Sequence, residues 1–315
     1  MAIATSGIPL REGRSLGAGL PASPEHPDPQ PLESGFLPQD TGHMALQISP
    51  SMWKLLPELR YEPTPRRIRA QLGDNTVVDS TSAVLAYEPR RVTPLYAVPA
   101  RDIAAELIPA DPPGRDPLAD VPPEALMDPR YPFAAHTAPG QRLDLHAGSH
   151  VLPGAGFRPD DPDLGGYVLL DFDAFDRWME EDQEIKGHPR DPFHRVDARQ
   201  SSRNVRVHLG GQLLAETREP VFVYETMLPV RTYFPRGDVD WDALHPSLKQ
   251  SVCPYKGTAS YWSVTDRPEG TDLAWSYEAV LPDSAQLKDL VSLFDERTDV
   301  YVDDAKQDIN SLFRF

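Results

Sequence analysis

One stretch of this chain occurs twice, and that repetition limits its fold more than any single motif does. Arg69-Ala-Gln-Leu-Gly73 returns as Arg206-Val-His-Leu-Gly210. At the same spacing Val84, Tyr87 and Glu88 match Val221, Tyr224 and Glu225, and Tyr96 matches Tyr233. One inserted residue after the tyrosine then aligns Pro99 and Asp102 with Pro235 and Asp238. Further on, Asp163-Leu-Gly-Gly-Tyr167 parallels Asp272-Leu-Ala-Trp-Ser-Tyr277. A unit of about 100–120 residues present in two copies is a domain-sized piece, not a solenoid repeat.

The pattern inside each copy is that of strands. Val205-Arg-Val-His-Leu209 alternates apolar and polar residues, as a half-buried strand does. Gly210-Gly211 supplies a tight turn, because glycine reaches positive φ without steric cost. Val221-Phe-Val-Tyr224, Ser260-Tyr-Trp-Ser-Val264 and Leu273-Ala-Trp-Ser-Tyr277 are rich in β-branched and aromatic residues. The amphipathic stretches Asp173–Asp182 and Ser284–Glu296 predict a short helix at the end of each copy. The fold expected is mainly β, in two tandem domains of small antiparallel sheets. With 35 prolines, the strands must be short and the turns many.

Residues 1–50 are rich in Pro, Gly and Ser, show no apolar period, and are expected to be disordered. Met44 near their end is a second candidate translation start. A first, degenerate repeat domain is expected over residues 51–186, with Ser51–Leu59 as an apolar lead-in. A Pro-punctuated linker follows over 187–202, then a second repeat domain over 203–305 and a tail over 306–315. The net charge of -17 argues against a nucleic-acid partner, whose phosphates are bound by Lys and Arg. The single cysteine allows no disulfide within the chain and no cysteine-built zinc site, which suits a cytoplasmic protein. No apolar run approaches the 18 or so residues that would span a membrane, so no membrane partner is expected.

A compact set of strings carries a resemblance to a known family. They are Tyr233-Phe-Pro-Arg-Gly-Asp-Val239, Cys253-Pro-Tyr-Lys-Gly257, Ala259-Ser-Tyr-Trp262 and Ala274-Trp-Ser-Tyr277, with Arg206, Gly211, Ala215 and Glu225 before them. Over about residues 203–303 the chain resembles the bacterial and fungal domain of unknown function 427. Residues 66–185 resemble a degenerate tandem form of it, with Leu145-His-Ala-Gly-Ser149 standing where Cys-Pro-Tyr-Lys-Gly is expected. The resemblance implies a β-tent fold, shared with methionine sulfoxide reductase B and the thalidomide-binding domain of cereblon. It also carries a loose nucleotidyltransferase label.

Cys-Pro-Tyr-Lys-Gly is spaced like a zinc knuckle with Lys256 in place of the second thiolate. An ammonium there would lower the thiol pKa of Cys253 and make it a nucleophile, with Glu225 as general base. The structural alternative makes Cys253 a small buried hydrophobe and pairs Lys256 with Glu225 or Asp238. Tyr233, Tyr255, Tyr261, Trp262, Trp275 and Tyr277 either wall a pocket for a flat or cationic ligand or fill a small β core. Arg206 and Lys256 could hold an anion, and Asp238 completes the polar set; Arg206 with Glu225 reads equally as a cross-strand ion pair.

Gly148-Ser149 followed by Asp161-Pro-Asp163 has the spacing of a polymerase-type transferase, but a second Asp-x-Asp at Asp171–Asp173 shows how little that means in a chain with 48 acidic residues. His188 and His194 flank Asp191 in what reads as a solvated linker. No cofactor or metal site is expected. Three functions stay open: a small-molecule-binding domain, catalytic or not, a nucleotidyltransferase, and a non-catalytic scaffold. The two repeats are expected to pack on each other.

Overall fold

The computed structural model describes residues 48–308. The expected tail over 1–50 falls almost wholly outside them, as do the last residues of the expected C-terminal tail. One short α-helix, α1 (Ile48–Trp53), precedes the strands. Among the described residues no helix is long and apolar enough to cross a membrane.

The strands form two sets of eleven. The first set is β1 (Arg60–Pro63), β2 (Ile68–Leu72), β3 (Asn75–Ser80), β4 (Val84–Tyr87), β5 (Leu95–Pro99), β6 (Glu106–Pro109), β7 (Gly140–Ala147), β8 (His150–Pro159), β9 (Tyr167–Leu170), β10 (Arg177–Glu180) and β11 (Gln183–Ile185). The second is β12 (Val196–Gln200), β13 (Val205–Leu209), β14 (Gln212–Thr217), β15 (Val221–Glu225), β16 (Arg231–Phe234), β17 (Leu244–Cys253), β18 (Gly257–Val264), β19 (Ala274–Val280), β20 (Val291–Leu293), β21 (Asp299–Val302) and β22 (Ala305–Lys306). Proline closes β1, β5, β6 and β8, where its missing N–H costs no ladder bond.

Both sets are wired alike. A seven-stranded sheet ordered β1-β4-β5-β9-β8-β7-β6 recurs as β12-β15-β16-β20-β19-β18-β17. A four-stranded sheet ordered β11-β10-β2-β3 recurs as β22-β21-β13-β14. The likeness reaches single residues. β2 and β13 share one burial alternation, and β3 and β14 share another. Each β2–β3-type hairpin has a register shift at the same point, after Ala70 and after Val207. Ser80 and Thr217, at the ends of β3 and β14, donate to Asp102 at 2.7 Å and to Asp238 at 2.5 Å. Asp238 is therefore a fold-holding residue with a twin, not part of a polar site.

In each half a core lies between the two sheets: Ile68, Ala70, Leu85, Tyr96, Val98 and Trp178 in the first, Val205, Val207, Phe222, Phe234, Trp262 and Val300 in the second. A further cluster covers the other face of each seven-stranded sheet.

Five expectations are corrected. Asp163–Tyr167 is not the counterpart of Asp272–Tyr277: Tyr167 opens β9, which corresponds to β20, whereas Tyr277 lies in β19. The amphipathic stretches at the end of each half are not helices: each begins with a 3-10 turn, Phe172–Ala174 or Pro282–Leu287, and then runs as a strand, β10 or β20. Their apolar residues fit either period when so few are present. The expected linker already contains β12, which pairs with β15 along Val196–Gln200.

The insertion near Tyr96 lies before the tyrosine, not after it. Val84 pairs with Ala97, whereas Val221 pairs with Tyr233, so Tyr96 and Tyr233 face opposite sides of their sheets. Finally, Leu145–Ser149 is not the counterpart of Cys253–Gly257. It lies at the β7–β8 turn, while the counterpart of the Cys253 turn is the connection from β6 to β7, residues 110–139.

Candidate functional site

The Cys-Pro-Tyr-Lys-Gly motif is the turn between β17 and β18, with Cys253 opposite Gly257 in register. Gly257 has φ of 109°, and a side chain there would run into the carbonyl of Ala279 on β19, so this position needs glycine. The turn is tied down on its far side. Lys256 O accepts from Leu281 N at 3.1 Å and Tyr255 O accepts from Ser284 Oγ at 3.1 Å.

The turn points Lys256 inward. Its Nζ donates to Glu225 Oε2 at 2.5 Å, and the other oxygen of Glu225 meets His194 Nε2 at 2.9 Å. All three side chains are largely buried. Burial by itself would raise the Glu225 carboxyl, but His194 and Lys256 outweigh it and hold it down at about 2. Burial likewise works against the Lys256 ammonium, yet Glu225, Tyr233 and Cys253 together raise it above its ordinary value. The pair is thus a fixed, desolvated ion pair. Glu225 lacks the raised pKa of a general base near neutrality.

Cys253 does not gain the expected activation. Burial pushes its thiol up; Lys256 and the backbone N–H groups of Tyr255 and Lys256, aimed at the sulfur, only partly offset that. Among the described residues, no three His, Cys, Asp or Glu side chains are grouped so as to hold a metal ion.

Residues 187–195 form a strap across the turn. Asp191 N donates to Tyr255 Oη at 2.7 Å. The His194 ring stacks on Tyr255 at 4.4 Å, and the Arg190 guanidinium lies over the same ring at 5.2 Å. The sequence alone places His194 and Asp191 in a solvated linker, whereas both contact the motif side. The available signal was the period-two Val196-Asp-Ala198, which marks β12 and so anchors the residues just before it.

The aromatic residues divide by strand alternation. Tyr233, Tyr261, Trp275 and Tyr277 share one face of the second seven-stranded sheet, with Cys253 packed against them. Trp275 Nε1 donates to Tyr233 Oη at 3.2 Å, and Tyr261 Oη meets Ser251 Oγ at 2.8 Å. These rings are buried against one another and line none of the cavities described below, so their role is core. Burial pushes the Tyr233 hydroxyl up to about 12 and raises that of Tyr277 further. Trp262 points to the opposite face, into the core between the sheets, against Trp241. Arg206 lies on the four-stranded sheet, pairs with Asp304 at 2.6 Å, and has no part in the Glu225 cluster.

A cleft of about 440 Å³ opens beside the turn. On one side are Val252, Cys253, Pro254, Gly257 and Thr258 of the hairpin; on the other are Gln183–Ile185 of β11 with Lys186 and Arg190. Ala279 and Leu281–Asp283 form its third wall. A second hollow of about 340 Å³ lies between α1 and residues 224–230.

The acidic pairs noted in the sequence are turn caps. Asp161 accepts from Asp163 N at 2.9 Å, and Asp171 accepts from Asp173 N at 3.1 Å.

Residues 197–304 match a family model described as Domain of unknown function (DUF427) and labelled NTP_transf_9. The match runs from β12 to the turn before β22 and so takes in the Cys253 hairpin, Glu225 and the aromatic face. No curated protein matches the chain.

Proposed function

We propose that this chain is a small-molecule-binding protein whose site is the cleft beside the Cys253 turn. The carrying observation is the cleft itself: a concavity of ligand size whose walls come from the motif hairpin on one side and from β11 of the other half on the other. Apolar groups (Ile185, Val252, Pro254, Leu281) alternate there with charged ones, as ligand sites require. The buried Lys256–Glu225–His194 cluster supports this reading as the brace that sets the hairpin in place. The tandem form of the family belongs to the same reading and is supported by the shared strand order.

Nucleotidyl transfer has less support. The one stretch with suitable acidic spacing uses Asp161 to cap its own turn. A thiolate mechanism has less support too, because burial raises the Cys253 thiol.

The test is a thermal-shift screen of the full chain against nucleotides with and without Mg²⁺, nucleosides, cyclic imides, amines and sulfoxides. Each hit is followed by iodoacetamide labelling of Cys253. A ligand of the cleft raises the melting temperature by mass action and slows labelling, and the Ala279→Trp variant, which fills the cleft, loses both effects. If neither this panel nor blocked tetrapeptides give a shift or protection, the reading is refuted and the scaffold function is left.

A further inference from the structure

We infer that the cleft takes an extended polypeptide segment, held as an added strand between β11 and β17; this rests on the cleft being the binding site. Both strands are sheet edges. β11 pairs only with β10, and β17 pairs only with β18. Each presents one side with no ladder partner, and residues of both line the same cavity: Gln183, Glu184 and Ile185 from β11, Val252 and Cys253 from β17. An unpartnered strand edge is a template for main-chain hydrogen bonding, and proteins normally cover or charge it. At one end the strap closes the gap: a Cβ added at Gly187 would lie 3.5 Å from both the Val252 side chain and its carbonyl oxygen.

The cavity has the volume of a short strand. A strand residue occupies roughly 4.8 Å between neighbours, 10 Å between layers and 3.3 Å along its axis, about 160 Å³ in all. The cleft of about 440 Å³ therefore fits about three residues. Val252 is half-exposed towards solvent and, with Ile185 and Leu281, offers an apolar surface for one side chain of the segment. The charges are balanced: Lys186 faces Glu184 at 3.8 Å and Arg190 pairs with Asp283. A site without a surplus charge suits an internal or blocked segment, not a free terminus.

The experiment uses the full chain and blocked tetrapeptides, acetylated and amidated, with Val, Leu, Phe or Thr at the two central positions. Binding is read by calorimetry and by protection of Cys253 from iodoacetamide. At least one peptide is expected to bind, to protect Cys253, and to lose affinity tenfold or more when a central amide is N-methylated, since that removes a backbone donor without removing the side chain. Ala279→Trp is expected to abolish binding.

Two results overturn the inference: no peptide binds while a non-peptide ligand protects Cys253, or the N-methylated peptide binds as well as its parent. Either leaves the cleft as a small-molecule site. If nothing protects Cys253, the inference and the proposed function fall together.

Discussion

Glu88 and Glu225 stand at the same point of the same topology, at the ends of β4 and β15, and their surroundings differ. Glu88 is fully buried and accepts from Arg91 Nε at 3.3 Å, from the backbone N–H groups of Thr137 and Ala138 at 3.0 and 3.2 Å, and meets His136 Nδ1 at 3.2 Å. Three of these four partners come from residues 110–139, the long connection that replaces the Cys253 turn. Glu225 has only Lys256 from the turn and His194 from the strap. The acid belongs to the fold, and each half neutralises it with its own set: Arg91 and the 110–139 connection in the first, Lys256 of the turn and His194 of the strap in the second.

The faces beneath these acids differ in the same direction. Register places Ala97, Leu169, Phe157 and Pro159 of the first half where the second has Tyr233, Ser292, Trp275 and Tyr277. Four apolar positions have become four groups with a polar handle. The first half has apolar side chains at these positions, while the second carries hydroxyls and an indole N–H under its charged cluster. That face backs the wall of the cleft through Cys253.

The largest expected effect separates the two acids. Glu88→Ala leaves Arg91, only 3% exposed, without its carboxylate and should cost about 3–5 kcal/mol in denaturant unfolding. A cost under about 1 kcal/mol would show that Glu88 is no anchor.

The next test concerns Glu225 and pH. Its carboxyl lies near 4.5 when unfolded and about 2 when folded, so the folded state binds fewer protons between those values. Its contribution is complete above about pH 4.5 and is lost as pH falls through 2, for a total of about 3 kcal/mol. Glu225→Gln should flatten that acid limb relative to the parent chain, whatever its effect at neutral pH. An unchanged slope between pH 4.5 and 2 would mean that the ion pair is not formed in solution.

The smallest effects sharpen the comparison of the tyrosines. Tyr96 Oη donates to Glu180 Oε1 at 2.8 Å, a bond to a charged acceptor, so Tyr96→Phe should cost about 2 kcal/mol. Tyr233 Oη only accepts from Trp275, so Tyr233→Phe should cost about 1 kcal/mol. Equal costs would argue against the opposite placement of the two rings.

Much of the fold was legible in the sequence. Alternation in Val205–Leu209, the matched Arg-x-x-Leu-Gly strings and the paired Asp102 and Asp238 all report local geometry that a short window can hold. The site was legible only in part. Cys253, Lys256 and Glu225 were found because they fall in or near one turn and one strand end. His194 was left in the linker because its partner Glu225 is 31 residues away on the neighbouring strand, and Arg206 was included because charge alone gives no location. Trp262 and Trp275 are alike as residues; only strand parity sends one into the core between the sheets and the other to the Glu225 side.

The sequence by itself determined the mainly β class, the strands with clear alternation such as Val205–Leu209, and the glycine-closed turns, since each follows from dihedral preference and period over a few residues. Tertiary structure alone decided which oxygen of Glu225 meets which cation, that burial overrides Lys256 at the Cys253 thiol, and that two strand edges from different halves enclose one cleft. Those outcomes depend on desolvation and on contacts between residues far apart in the chain, and neither is encoded in any local window.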